Sequence, residues 1–454
     1  MKKLIAHTKR ITGVEPPWRL ITHLAAPAMG MMYLIWGFNF VDTAFAGRLG
    51  DVALAGLSTG AFLMWMVFGF ANLVSMGTAA IVSRRIGEHD IHEAERTAYQ
   101  SLLLTVLVSI VYGAVTWHFA PDIFARLMKV TPEVHAVGWS YLRWVLASAP
   151  FAFLFLTSGQ IFFATGDTVR PMQLMVLALV VTFVFDWVFM FGNLGAPKLG
   201  TEGAGIAFAA SRVAYVAVAL TILLWPKPHG FTVRAHGRPW PDWNVFGRIC
   251  VIGLPQAVEG VLFPLVYMFL TRYTTAHGTE NVAALRIGHT VEGLIFFGSM
   301  GMGATIRPIV GQNLGAKNPR RAMAAGWTAL GLLAIPASIY AAALIFAPHV
   351  VASVFASDPA VIEASSGYLR IVGWSQIFMA CELVLIGVFS GAGYTWVPMA
   401  IVIPLTLARA PLAAWLEPMI GVDGVWWAIS ISTIAKGVVL AFVFSLGAWT
   451  RKKV

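Results

Sequence analysis

Charge is scarce in this chain. Of its 454 residues only 11% are Asp, Glu, Lys or Arg, against roughly 25% in an ordinary soluble domain. Cysteine is nearly missing. Cys250 and Cys381 are the whole complement, and both lie in or beside apolar segments, so no disulfide framework is expected. Zinc-ligand spacings and a Walker-type glycine-rich phosphate loop are absent too, which leaves no visible means of metalloprotease chemistry or direct ATP use. The alternating strands of about ten residues that make a membrane β-barrel are not found. No cleavable signal is evident, because the first apolar segment begins near Ile21 and outruns the ~7–15-residue apolar core of a signal peptide.

What the chain has is apolar length. Hydrophobic residues make up 58%, and stretches such as 102–115, 174–184 and 330–347 are apolar for most of their extent. Many approach the ~20 residues that cross a bilayer, and in lipid such segments must satisfy their own backbone as helices. The pattern predicts twelve spans: 22–46, 52–78, 98–119, 137–162, 171–195, 203–226, 247–273, 283–310, 325–348, 366–391, 397–418 and 424–447. The fold class expected is an all-α integral membrane protein.

The net charge of +10 does not point to nucleic acid, because the basic residues lie between spans rather than on a soluble face. Lys2, Lys3, Lys9, Arg10 and Arg19 precede the first span. Alternate loops carry Arg84, Arg85 and Arg96, then Arg170, then Lys227, Arg234 and Arg238, then Lys317, Arg320 and Arg321; Arg451, Lys452 and Lys453 close the chain. The other loops hold only Arg48, Arg126, Lys129 and Lys198. The positive-inside rule puts both termini in the cytoplasm, as an even number of spans requires. The longest polar connection, 226–243, divides the spans six and six. The expected organisation is an amino-terminal lobe 1–226, a cytoplasmic linker 227–246 and a carboxyl-terminal lobe 247–454.

The halves repeat. Pro27, Gly50 and Gly87 return as Pro255, Gly278 and Gly315, 228 residues on; Tyr141-Leu142-Arg143 and Pro171-Met172 return as Tyr368-Leu369-Arg370 and Pro398-Met399, 227 on; Gly203 and Ala207 return as Gly424 and Ala428, 221 on. Six spans per half gives the halves one topology, as in parallel-repeat transporters whose lobes rock about a site between them.

Several runs are more specific. Val41-Asp42-Thr43-Ala44-Phe45-Ala46-Gly47-Arg48-Leu49-Gly50 resembles the first-helix signature of the multidrug and toxic compound extrusion (MATE) family. Gly77-Thr78-Ala79-Ala80-Ile81-Val82-Ser83-Arg84-Arg85-Ile86-Gly87 is similar to its second-helix exit. Its repeat is Pro308-Ile309-Val310-Gly311-Gln312-Asn313-Leu314-Gly315-Ala316, and Gly391-Ala392-Gly393 and Gly424-Val425-Trp426-Trp427 fit the last hairpins. The resemblance spans nearly the whole chain. It implies two six-helix lobes around a central cleft and antiport by alternating access, exporting organic cations, drugs or toxic metabolites against H+ or Na+. A monomer in the bacterial inner membrane is expected, with small organic substrates and the bilayer as partners, no nucleic acid, no enzymatic activity, and no cofactor or metal beyond the coupling ion. The alternative within the superfamily is a lipid-linked oligosaccharide flippase, which should line its cleft with several Arg or Lys.

A carboxylate in hydrocarbon costs at least ~2.5–3.5 kcal/mol and is usually paired or functional. Asp42, with Asn39 three residues before it on the same face, and Asp186 match the acids that the archaeal and DinF-like branch places on its first and fifth helices. Thr182 stands where that branch has Asn. Together these four form a candidate cation-coupling site. Asp42 has a plainer reading as a helix-end residue near water, and Asp186 one as a structural ion pair with Arg212. In the carboxyl lobe Glu259, Arg286, His289, Glu292 and Glu382 form a candidate substrate cleft or proton relay, or an internally neutralised packing network; Glu259 and Glu382 lie on the helices where the NorM-like branch carries its carboxylates. Arg409 occupies the repeat position of Thr182, so the lobes differ chemically. The 18 Met and abundant aromatics suit lipid contact, interfaces and an adaptable cleft.

Overall fold

The computed structural model describes residues 8–47, 49, 51–122, 131–225, 231–237 and 239–452; between residues 39 and 65 only some side chains are described. Among the described residues every regular element is helical. Ten helices are long and apolar enough to span a membrane, and two bent pairs bring the number to twelve.

The amino-terminal set is Pro17–Gly47, Asp51–Gly87, Ile91–Asp122, the pair Pro132–Ala147 and Ala149–Ala164, Val169–Phe185 continued by a π-turn Asp186–Met190, and Thr201–Leu224. The carboxyl-terminal set is Trp243–Ala276, Thr279–Gly315, Pro319–Phe346, the pair Pro359–Gly373 and Gln376–Gly391, Trp396–Leu407 with Arg409–Ile420, and Val422–Ser445. They are called the first to twelfth spans below. Cys250 and Cys381 are free.

The fourth and tenth spans are not straight. They bend by 55° and 54° at equivalent places. Ser148 and Ser375, 227 residues apart, sit at the two breaks, and each hydroxyl donates to the carbonyl three residues back, Val145 at 3.1 Å and Val372 at 2.8 Å. Such back-bonding competes with the helical ladder, and Pro150 removes a further donor in the first case. Both spans then end alike. Gly166 and Gly393 adopt left-handed backbone (φ +84 and +68), and the amides that follow, Asp167 and Tyr394, close back on Phe162 and Phe389 at 3.0 and 2.9 Å, a Schellman-type stop.

The fifth span also ends earlier than its hydropathy suggests. Gly192 (φ +76) stops it, so Asp186 lies four residues, or ~6 Å, from the end of the span at Met190. The seventh span begins at Trp243, inside the stretch read as linker, because the Asp242 side chain caps it by accepting from the Asn244 amide at 3.0 Å.

The two ends of the described chain lie on one face. Arg84 donates to the Lys452 carbonyl at 2.8 Å, and Arg321 to the Ile11 carbonyl at 3.0 Å. From that face to about mid-depth the two sets pack directly, second span against seventh and first against eighth. At the crossing of the second and eighth spans the repeat is reciprocal. A Cβ on Gly87 would overlap the Gln312 carbonyl, and one on Gly315 the Arg84 carbonyl; residues 84 and 312 are themselves 228 apart. The motif glycines of both halves are therefore where the backbones meet.

Candidate functional site

In the amino-terminal half the first-span residues Asn39 and Asp42 have helical backbone, but their side chains lie outside the described residues. Phe45, one turn beyond Asp42, packs its ring on Phe183 and Phe191 at 5.6 and 5.5 Å. Those two rings bracket Asp186, so this stretch of the first span runs beside the fifth at the level of Asp186. Asp186 is completely buried (0% exposed) and opens the π-turn, a departure from α geometry often found at functional sites. Thr182, one turn away and also buried, donates its hydroxyl to the Ala178 carbonyl at 2.9 Å.

An ion pair between Asp186 and Arg212 calls for the two at one depth. The helix crossing staggers them. A Cβ on Gly203 would press on the backbone of Phe189 and Met190. Counted from that crossing, Arg212 lies nine residues deeper (~13 Å) and Asp186 only three (~4.5 Å). The Arg212 guanidinium lies over the rings of Phe155 and Phe208, at 4.5 and 4.7 Å, a cation–π arrangement.

The carboxyl-terminal half brings most of its candidates into one network. Glu382 accepts from Lys436 at 2.6 Å with both side chains buried (7% and 4% exposed). Glu292 accepts from the Tyr368 hydroxyl and the Gln376 amide, each at 2.8 Å. Arg409 donates to Ser432 at 2.8 Å, Thr433 at 2.9 Å and the Tyr267 hydroxyl at 3.2 Å. Glu259 is half-buried, within electrostatic reach of Lys436, Glu382 and Arg409. The His289 ring meets Tyr267 edge-on at 4.8 Å. Glu292 thus spends its acceptors on Tyr368 and Gln376, although His289 is only one turn away on the same helix. Arg286 lies on an exposed part of the eighth span.

Between the halves, buried Arg307 donates to Gln160 at 2.7 Å, and Gln312 donates to the Ala164 carbonyl at 2.9 Å. Both bonds join the eighth span to the fourth on the side of the termini.

A family profile described as MatE matches residues 27–188 and again 255–415. The chain belongs to the MatE family. The two matches are the two repeats, starting 228 and ending 227 residues apart. A probable multidrug resistance protein NorM of Thermotoga maritima is 27% identical over 95% of this chain and 93% of its own length. An FAD transporter of Shewanella oneidensis is 26% identical over 93% of each chain. The multidrug resistance protein PmpM of Pseudomonas aeruginosa is 25% identical over 92% of this chain and 89% of its own. Among solved structures, an outward-facing multidrug resistance MATE transporter of the MOP superfamily superposes with a TM-score of 0.90 at 21% identity, covering 100% of this chain and 99% of the other. A MOP superfamily transporter from Pyrococcus furiosus gives 0.89 at 21% identity, covering 98% and 99%. This MatE protein is a multi-pass membrane transporter handling small organic substrates, not an enzyme.

Sequence reasoning passed over two charges of this MatE chain. Lys436 stands alone in the apolar run 424–445, and Arg307 in the run before Pro308. Each carried the same signal as the carboxylates, a charge inside a span. Tyr267, Tyr368 and Gln376 carried none, since uncharged polar side chains are common in spans.

Proposed function

We propose that this transporter exports organic compounds by antiport against H+ or Na+, with coupling at Asp186 and Asp42 of the amino-terminal lobe. The observation that carries the reading is the burial of Asp186 on a π-turn beside the stretch of the first span that holds Asp42. Two carboxylates in one pocket disfavour a second negative charge, so the pair takes up a proton readily; with Thr182 and backbone oxygens it also offers the oxygen ligands a hard cation accepts. Binding a cation there neutralises a charge held in hydrocarbon, and that changes which packing of the lobe is preferred. The contacts of Arg307 with Gln160 and of Gln312 with Ala164 then act as a closure on the side of the termini, which the positive-inside rule makes cytoplasmic. This closure has to open in each cycle of alternating access.

The charges of the carboxyl-terminal network do not favour a flippase for pyrophosphate lipids. Three carboxylates (Glu259, Glu292, Glu382) face two cations (Lys436, Arg409), where an anionic headgroup needs an excess of cations. The test is dye efflux from proteoliposomes under an imposed proton gradient and, separately, a sodium gradient. One of the two should drive uphill efflux that stops when the gradient is dissipated. Efflux indifferent to both gradients overturns the antiport reading.

A further inference from the structure

The connection between the lobes carries a cluster that transport leaves unused. It leaves the sixth span through Val233, whose amide donates to the Leu223 carbonyl at 2.9 Å. It crosses the start of the third span and enters the seventh at Asp242. Where it crosses, one ligand atom from each of His92, Glu95 and His236 lies within 4.8 Å of the others. His92 and Glu95 are three apart on the first turns of the helix Ile91–Asp122, so both face the connection. His236 is brought to them by a left-handed backbone (φ +46) followed by Gly237 (φ +78), a conformation that side-chain-bearing residues seldom adopt.

We propose that His92 and His236 bind one divalent transition-metal ion of the zinc class, oriented by Glu95, and that the ion ties the inter-lobe connection to the third span. The Nδ1 atoms of the two histidines face each other at 3.4 Å. That is long for a hydrogen bond but matches the ~3.4 Å edge of a tetrahedron with zinc–nitrogen bonds of ~2.0–2.1 Å. The rings meet edge-on, 85° apart, rather than stacked. The far nitrogen of His236, Nε2, is 2.8 Å from one Glu95 oxygen, and the other oxygen accepts from the Thr232 amide at 3.0 Å. A carboxylate fixed in this way accepts a hydrogen bond from Nε2–H and so leaves Nδ1 unprotonated as the lone-pair donor, the usual arrangement behind a metal-bound histidine. The neighbouring cation Arg96 is engaged by Glu93 and Asp242, so its charge is compensated. His92 is exposed, which leaves the remaining coordination positions open to water.

The test uses the full chain in detergent, its affinity tag removed and bound metal stripped by a chelator, titrated with ZnCl2 by calorimetry and by thermal unfolding. One equivalent should bind and Tm should rise with zinc concentration. His92→Ala and His236→Asn should weaken binding at least tenfold; Asn tolerates the left-handed backbone, so that variant keeps the loop. Glu95→Gln should weaken it about 10–100-fold, while His89→Asn, on the adjacent exposed turn, should bind like the parent. Gel filtration establishes that each variant is folded. No saturable binding to the parent, or equal affinity in His92→Ala and His236→Asn, overturns the site.

Discussion

The two lobes share a scaffold and differ in what it holds. In the carboxyl-terminal lobe the Tyr368 hydroxyl donates to Glu292. At the repeat positions of the other lobe the Tyr141 hydroxyl points at the Met64 sulfur, 3.4 Å away. Where Glu382 and Lys436 form an ion pair, the counterparts Phe155 and Tyr215 stack edge-on at 4.4 Å. Arg409 on the eleventh span donates to Thr433 on the twelfth, and the equivalent positions hold Thr182 and Arg212, the same two side-chain types exchanged between the helices. Asp186 in turn matches Ala413. Backbone devices such as the serine breaks, the glycine stops and the glycine crossing were kept in both halves, because they fix where helices bend and touch. Polar side chains were free to diverge. Among the described residues, the amino-terminal half holds Asp186 fully buried at its π-turn, whereas the other half holds a network of ion-paired and hydrogen-bonded charges.

The comparison breaks most visibly at the ion pair. Lys436→Met strands Glu382 in a buried site and should destabilise the protein by about 3–5 kcal/mol, read as a lowered Tm in detergent. Rewriting the pair as its counterpart, Glu382→Phe with Lys436→Tyr, should recover most of that loss, because the scaffold around both pairs is the same. A double variant as unstable as the single one would show that the lobes are not interchangeable there.

A smaller loss is expected at the lobe crossing. Gly315→Val places methyl groups against the Arg84 carbonyl, and overpacking of this kind typically costs about 1–3 kcal/mol. Gly87→Val, its reciprocal, should cost a similar amount, and both variants should weaken the closed side that bears the termini, seen as faster thiol labelling of a cysteine placed at Ala164. Equal labelling in variants and parent would argue against the crossing as a seal.

The smallest effect is at the connection. Asp242→Ala removes the cap of the seventh span and should cost about 1 kcal/mol. Burial works against the Asp242 charge, yet the amides of Val245 and Asn244 and the Arg96 guanidinium together hold its carboxyl below the usual range. Its contribution is therefore complete at neutral pH and is lost as pH falls through the lowered folded-state value. Parent and variant should differ in Tm at pH 7 and converge in acid; a constant difference would contradict this.

Much of this was legible in the sequence for a physical reason. Span number and the repeat are written in apolar length and in glycine and proline spacing, which lipid and close backbone approach enforce directly. Asp186, Glu259, Glu292, Glu382 and Arg409 were legible because a charge inside a span is conspicuous; Lys436 and Arg307 carried that signal and were passed over. The bends at Ser148 and Ser375 were not legible, since hydropathy sums over a window and is blind to where a hydroxyl bonds. Partner choice was not legible either. Glu292 turns to Tyr368 and Gln376, from another span, rather than to His289 one turn away, and only the packing of helices sets that.

The central claim is that Asp186 couples the ion and is not merely half of a structural pair with Arg212. The direct measurement is gradient-driven efflux in proteoliposomes, with thermal stability in parallel, for Asp186→Asn, Arg212→Leu and the double variant. Coupling at Asp186 predicts that Asp186→Asn folds with near-parent stability, loses efflux driven by the cation gradient, and is not rescued by Arg212→Leu. Two unstable single variants and a stable, active double variant would contradict it.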